Sequence, residues 1–197
     1  MFQIAVLVSG GGSNLQALID SIESQYIENA RIAAVISSNR NAYALERARH
    51  HGINCAVFSK KDFKDETERE NAMLAYLNPL KIDLIVLCGS LMVLGEKTLK
   101  AYENRIINIH PSLLPAFGGK GYYGIKIHEA AIKRGVKISG ATVHFVNDVI
   151  DGGKIIAQSA IDVLPDDTPE TLQKRVLETE WQILPKAVKM LLSEKEF

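Results

Sequence analysis

The sequence predicts a single doubly wound α/β domain: a mostly parallel sheet with helices on both faces, followed by an antiparallel hairpin and a final helix. Three observations carry that prediction. Short apolar runs alternate with segments of helical periodicity as far as residue 110. The run 84–88 is apolar at every position, as expected of a strand covered on both faces. Beyond Gly121 the alternation gives way to two strand-like stretches joined by a turn rich in Asn, Asp and Gly.

Residues 4–8 form the first strand, which stops at Ser9-Gly10-Gly11-Gly12, and Leu15, Leu18, Ile19 and Ile22 then recur at helical spacing. A second strand is expected over 33–36, a second helix over 42–50 and a third strand over 55–58. The charged segment 63–77 reads as a helix closed by Asn78-Pro79. The strand at 84–88, a short helix over 97–102 and a strand at 106–109 complete the alternation, which implies parallel pairing through right-handed crossovers. A helix over 123–133 precedes the hairpin strands 137–146 and 154–163. The last helix starts near Thr168, a suitable cap, with Pro169 in its first turn and a bend expected at Pro185.

The 197 residues are 47% apolar, with 23 Lys plus Arg against 23 Asp plus Glu, so no overall field favours a polyanion or an acidic surface. No apolar run approaches the roughly 18 residues needed to span a bilayer. The start lacks a cationic segment and a cleavage pattern, so a mature cytoplasmic protein is expected. Cys55 and Cys88 are isolated and read as buried thiols. His128-Glu129 does not extend to a zinc helix, because position 132 is Ile132, so no metal is expected.

Two segments carry chemistry. Gly10-Gly11-Gly12-Ser13-Asn14 lies where a strand hands over to a helix, so backbone N–H groups and the helix dipole converge on one spot. Leu15 replaces the third glycine of a dinucleotide fingerprint, and neither a Walker lysine nor a nucleophile elbow is present. The local readings left are a tight turn without a ligand and, favoured, a site for a small phosphomonoester. The second segment is Asn108-Ile109-His110-Pro111, at the carboxyl end of the fifth strand. Period-two spacing aims Asn108 and His110 to the same side, and an amide donor beside an imidazole suits acyl transfer. A histidine at a strand end is commonly structural. Either Asp148 or Asp151, in the hairpin turn, could hold His110 charged, although turn chemistry alone would also place them there.

Taken in order, residues 9–16, Asn108-Ile109-His110-Pro111-Ser112-Leu113-Leu114-Pro115, and His144-Phe145-Val146 through Asp151-Gly152-Gly153 strongly resemble the folate-dependent phosphoribosylglycinamide formyltransferase family over essentially the whole chain. The second and third motifs are shared with other formyltetrahydrofolate enzymes, and the first points to the acceptor. The resemblance implies Asn108, His110 and Asp151 as the catalytic trio and Gly12, Ser13 and Asn14 as the acceptor-phosphate loop, with Glu180 also contacting the acceptor. It implies that Leu91, Met92, Val93 and Leu94, with Asn108 and the turn residues Asn147 and Asp148, line the site of 10-formyltetrahydrofolate, a co-substrate. The acceptor half is then 1–100 and the catalytic and folate half 101–197 of one domain. Partners are small molecules rather than nucleic acid or membrane, and the oligomeric state is left undefined.

One departure stands out. Where several family members place an arginine early in the third helix for the folate's glutamate tail, this chain has Glu66, with Lys61 and Lys64 nearby, and a second family arginine appears as Met92. Two readings remain, a tail held by Lys64 or Lys61 and, favoured, a tail that lies in water and that Glu66 repels weakly. Related methionyl-tRNA formyltransferases and deformylases carry extra domains for which this chain has no space. A phosphate or nucleotide sensor on the same fold is the competing class.

Overall fold

Strand β1 (Phe2–Val8) lies inside the sheet, and its two faces feed separate cores: Ile4, Val6 and Val8 point to one, Ala5 and Leu7 to the other. The computed structural model describes residues 1–194; positions 195–197 of the predicted domain lie outside them. The remaining strands are β2 (Ala30–Ser37), β3 (Cys55–Val57), β4 (Leu84–Leu87), β5 (Ile106–His110), β6 (Ile138–Phe145) and β7 (Ile155–Asp162). They form one seven-stranded sheet in the order β3-β2-β1-β4-β5-β6-β7, parallel up to β5 and antiparallel from β5 to β7. This is the predicted architecture.

The helices are α1 (Ser13–Glu23), α2 (Tyr43–His50), α3 (Glu66–Leu77), α4 (Glu96–Ala101), α5 (Ile125–Arg134) and α6 (Pro169–Glu194). Residues of α1, α2, α5 and α6 cover the face of Ile4, Val6, Leu84, Val86, Ile107 and Val143. Met73 and Leu77 of α3 cover the opposite face with Phe58, Ile82 and Tyr102. In β2 a register irregularity opposite Ile4 and Ala5 puts Ile32 and Val35, three residues apart, in the same core.

Boundaries differ from the sequence reading where caps decide them. Helix α3 starts at Glu66 rather than 63, because the Asp65 carboxylate accepts the Glu68 amide at 2.8 Å and ends the preceding extended chain. Helix α5 starts at Ile125 because Gly124 has φ 55 outside the helical region, leaving Tyr122 and Tyr123 exposed in a glycine-rich loop. Thr168 caps α6 as predicted: its Oγ1 accepts the Thr171 amide at 3.3 Å while Thr171 Oγ1 accepts the Thr168 amide at 2.8 Å. The helix continues past Pro185. Cys88 is buried, whereas Cys55 is only partly so.

The order places β1 and β4 side by side, with β2 and β3 to one side and β5 to the other. Their carboxyl ends flank the topological switch point at which open α/β sheets bind ligands.

Candidate active site

The loop after β1 enters α1 without a side-chain cap, so the amides of the helix's first turn are left for another acceptor. Glycine is required at position 12: φ is 74, and a Cβ there would lie 2.5 Å from Ala44 Cβ and 2.8 Å from Ala44 Cα. Ser9 ties this loop to the segment after β4. Its Oγ is 2.9 Å from Ser38 Oγ and accepts the Leu91 amide at 2.8 Å.

Asn14 and Glu180 meet at the floor, joining the first and last helices. Asn14 Nδ2 donates to Glu180 Oε2 at 2.6 Å, and both residues are buried. Among the described residues Asn14 Oδ1 is buried without a hydrogen-bond partner. Burial, only partly offset by the Asn14 hydrogen bond, pushes the Glu180 carboxyl up to about 7. Nearby Cys88 is held as a thiol, chiefly by burial and secondarily by Glu180.

The direction of that shift fixes a pH dependence. The folded carboxyl binds its proton more tightly than the unfolded one, so its contribution to stability is full below about 4.5 and is lost as pH rises through about 7. Glu180→Gln should therefore stabilise the free protein at pH 8 by about 1–3 kcal/mol and change it little at pH 4, as measured by urea unfolding. Equal gains at both pH values would contradict the shift.

At the end of β5, antiparallel pairing sets Asn108 opposite His144 and His110 opposite Thr142. Asn108 Nδ2 is 3.1 Å from His144 Nε2, and His144 Nδ1 is 2.8 Å from the Phe145 carbonyl. A carbonyl only accepts, so Nδ1 carries the proton and neutral Nε2 accepts the Asn108 amide. Burial pushes the His144 pKa down, against smaller raising effects of the Phe145 carbonyl and Asp151. That preserves this tautomer and aims the amide's NH2 end into the site.

His110 Nε2 donates to the Phe117 carbonyl at 2.9 Å, and its Nδ1 lies 3.6 Å from Asp151 Oδ1. The same oxygen is 3.7 Å from His144 Nε2, while Asp151 Oδ2 accepts the Gly119 amide at 2.8 Å. Asp151 takes φ 55, a left-handed conformation that Asp tolerates better than most residues. Behind it, a Cβ on Gly153 would lie 1.8 Å from the Phe145 carbonyl oxygen. The turn's glycine thus lets the chain close tightly enough to bring Asp151 back to β5. The arrangement offers an oriented amide donor, an imidazole and a carboxylate around one point.

The other expected residues fall around this cluster. Asp148 is exposed in the turn and forms no hydrogen bond or ion pair with His110 among the described residues, so geometry separates it from Asp151. Asn147 Oδ1 accepts the Val149 amide at 3.0 Å, shaping the same turn. Leu91 and Val93 are exposed, Met92 is buried and Leu94 is partly buried, so the segment offers an apolar rim rather than a core strand. Glu66 is not free: it pairs with Lys60 at 3.2 Å and with Arg69, which also donates to the Val93 carbonyl at 3.3 Å. Its cationic partners are thus Lys60 and Arg69 rather than Lys61 or Lys64. A hollow of about 120 Å³ separates α3 from Met92, Val93 and Leu94, whereas a larger cleft of about 340 Å³ between α1, β2 and Ile53 includes no expected site residue.

Sequence reasoning assigned no role to His144, His128 or Arg47. His128 is buried on α5, its Nδ1 has no hydrogen-bond partner among the described residues, and burial together with nearby His110 lowers its pKa to about 4. The quoted motif contained His144, but only strand register shows that it faces Asn108.

Residues 2–188 match the formyl transferase family model. Phosphoribosylglycinamide formyltransferase of Haemophilus influenzae is 43% identical over 96% of this chain and 86% of its own length. The chloroplastic phosphoribosylglycinamide formyltransferase of Arabidopsis thaliana is 38% identical over 98% of this chain and 66% of its own. A crystal structure of glycinamide ribonucleotide transformylase 1 from Symbiobacterium toebii superposes with a TM-score of 0.92 at 39% identity, covering 99% of this chain and 89% of that one. The chain belongs to the formyl transferase family, among its phosphoribosylglycinamide formyltransferases.

Proposed function

We propose that this chain transfers the formyl group of 10-formyltetrahydrofolate to the glycyl amine of 5-phosphoribosylglycinamide, a step of purine synthesis, and that Asn108, His110 and Asp151 carry the chemistry. The carrying observation is their convergence at the end of β5, with His144 orienting the Asn108 amide. Gly12, Ser13 and Asn14 hold the acceptor's phosphate, and Glu180 its polar body. Residues 91–94, Asn108, Asn147 and Asp148 border the folate. Because Glu180 closes on Asn14, the acceptor site draws on both the 1–100 and the 101–197 halves of the proposed single domain.

The unprotonated amine attacks the formyl carbon, and the carbonyl oxygen takes up the charge. The second Asn108 N–H and the His110 Nε2–H stabilise it, with His110 Nε2 exchanging the Phe117 carbonyl for the substrate oxygen. Phe117 has φ 55, an uncommon conformation for an aromatic residue, so that loop position is one at which movement relieves strain. Asp151 Oδ1, 3.6 Å from His110 Nδ1, holds the ring in this orientation. As the tetrahedral species collapses, the bond from carbon to the folate N10 breaks and the proton lost by the amine passes to N10.

The folate's tail carboxylates run toward Lys60 and Arg69 past Glu66. Glu66→Gln should release both cations and lower the folate KM several-fold at low salt, with the gain vanishing as salt rises. A folate KM unchanged at every ionic strength would place the tail elsewhere. The proposal includes a cytoplasmic location; among the described residues no helix is long and apolar enough to cross a membrane. The test of function is to mix both substrates and follow the folate product, with water and initiator tRNA as control acceptors. Turnover with the ribonucleotide alone is expected; turnover with water or tRNA, or binding without product, would overturn the reading.

A further inference from the structure

We propose that Arg47, on a helix that holds none of the expected site residues, is the positioning residue of the acceptor-phosphate loop: it fixes the peptide planes that aim the loop's amides at a phosphomonoester dianion. This rests on the assignment of that loop to the acceptor phosphate.

Three successive carbonyls of the loop are restrained. Gly10 O accepts the Ala44 amide at 3.1 Å, Gly11 O accepts Arg47 Nε at 2.9 Å, and Gly12 O accepts the Gln16 amide at 2.9 Å. In a planar trans peptide the carbonyl and the following N–H point in opposite directions. Holding two carbonyls toward α2 and one along α1 therefore turns the amides of Gly11, Gly12 and Ser13 outward. None of the three has a protein acceptor among the described residues. Successive outward amides at a helix start form a nest for an anion.

Arg47 is the only charged group in these restraints, and it is itself fixed. Its Nη1 donates to Gln16 Oε1 at 3.1 Å, and its guanidinium lies 5.1 Å from the centroid of the Tyr43 ring. The planar fork thus links the loop to the first turn of α1, while its permanent charge answers the carbonyl end of the Gly11–Gly12 peptide. The amide end of that peptide is left to the ligand. A neutral side chain could fill the space but would free the carbonyl to rotate, and a lysine would keep the charge without the fork.

The test compares the phosphorylated acceptor with its dephosphorylated nucleoside, and uses inorganic phosphate as a competing anion, in the wild type, Arg47→Met and Arg47→Lys. Arg47→Met should raise both the acceptor KM and the inhibition constant for phosphate about tenfold or more, the scale of a charge-assisted hydrogen bond. Its kcat and folate KM should stay within about twofold, and its kcat/KM on the dephosphorylated acceptor should equal that of the wild type. Arg47→Lys should recover part of the loss. Unchanged phosphate inhibition, equal losses on both acceptors, or full recovery by lysine would each overturn the role. If Arg47→Met does not fold, Gln16→Met releases Nη1 alone and should still weaken phosphate several-fold; no change would again overturn it. A wild type indifferent to phosphate on its acceptor is a different result, which would remove the loop assignment itself.

Discussion

His110→Ala should lower kcat by about a hundredfold or more while leaving the unfolding midpoint within a few degrees of the wild type. The imidazole lies in the middle of the cluster, 2.9 Å from the Phe117 carbonyl and 3.6 Å from Asp151, and nothing else described there offers a second ionisable donor beside Asn108. His144 cannot take its place, because burial keeps that ring neutral and its Nε2 is occupied by Asn108. Removing His110 also removes a neighbour that disfavours charge on His128, which should gain a proton more easily. The measurement is steady-state turnover at saturating concentrations of both substrates. Near-normal kcat would take His110 out of the reaction.

Gly12→Val should raise the acceptor KM by at least tenfold and leave the folate KM nearly unchanged. Two effects act at once: φ 74 is costly for a β-branched residue, and its Cβ would meet Ala44 at 2.5 Å, so the loop must move off α2. The outward amides then lose their common direction. The folate segment is tied to the same loop through Ser9 and the Leu91 amide, one residue before the glycines, which is why the loss falls mainly on the acceptor. Parallel weakening of both substrates would mean that the loop is only structural. The two KM values, measured with the other substrate saturating, decide it.

Features settled by neighbours in sequence were legible without the structure. The β1 strand, its glycine turn and α1 follow from apolar spacing, and the alternation at Asn108 and His110 follows from strand geometry. Turn chemistry alone left Asp148 and Asp151 open and only the family resemblance favoured Asp151, because the choice depends on a left-handed residue and on a glycine pressed against the Phe145 carbonyl, both properties of the closed turn. His144 stood in the quoted motif but could be assigned to Asn108 only through the register of β5 and β6. The partners of Glu66 were not legible: Lys61 and Lys64 stand beside it in sequence, whereas Lys60 reaches it across the turn before α3 and Arg69 along the face of that helix. Arg47 was invisible for a related reason: its partners lie in the loop and first turn of a different helix.

The central claim is direct formyl transfer at the Asn108, His110 and Asp151 cluster. A single turnover with formyl-labelled 10-formyltetrahydrofolate, excess enzyme and 5-phosphoribosylglycinamide tests it most directly, by following where the label goes. Labelled N-formylated ribonucleotide should appear at the rate at which the folate loses its formyl group, with no labelled formate, and both rates should fall together by about a hundredfold or more in His110→Ala. Label appearing as formate, or deformylation running at the same rate without the acceptor, would contradict it.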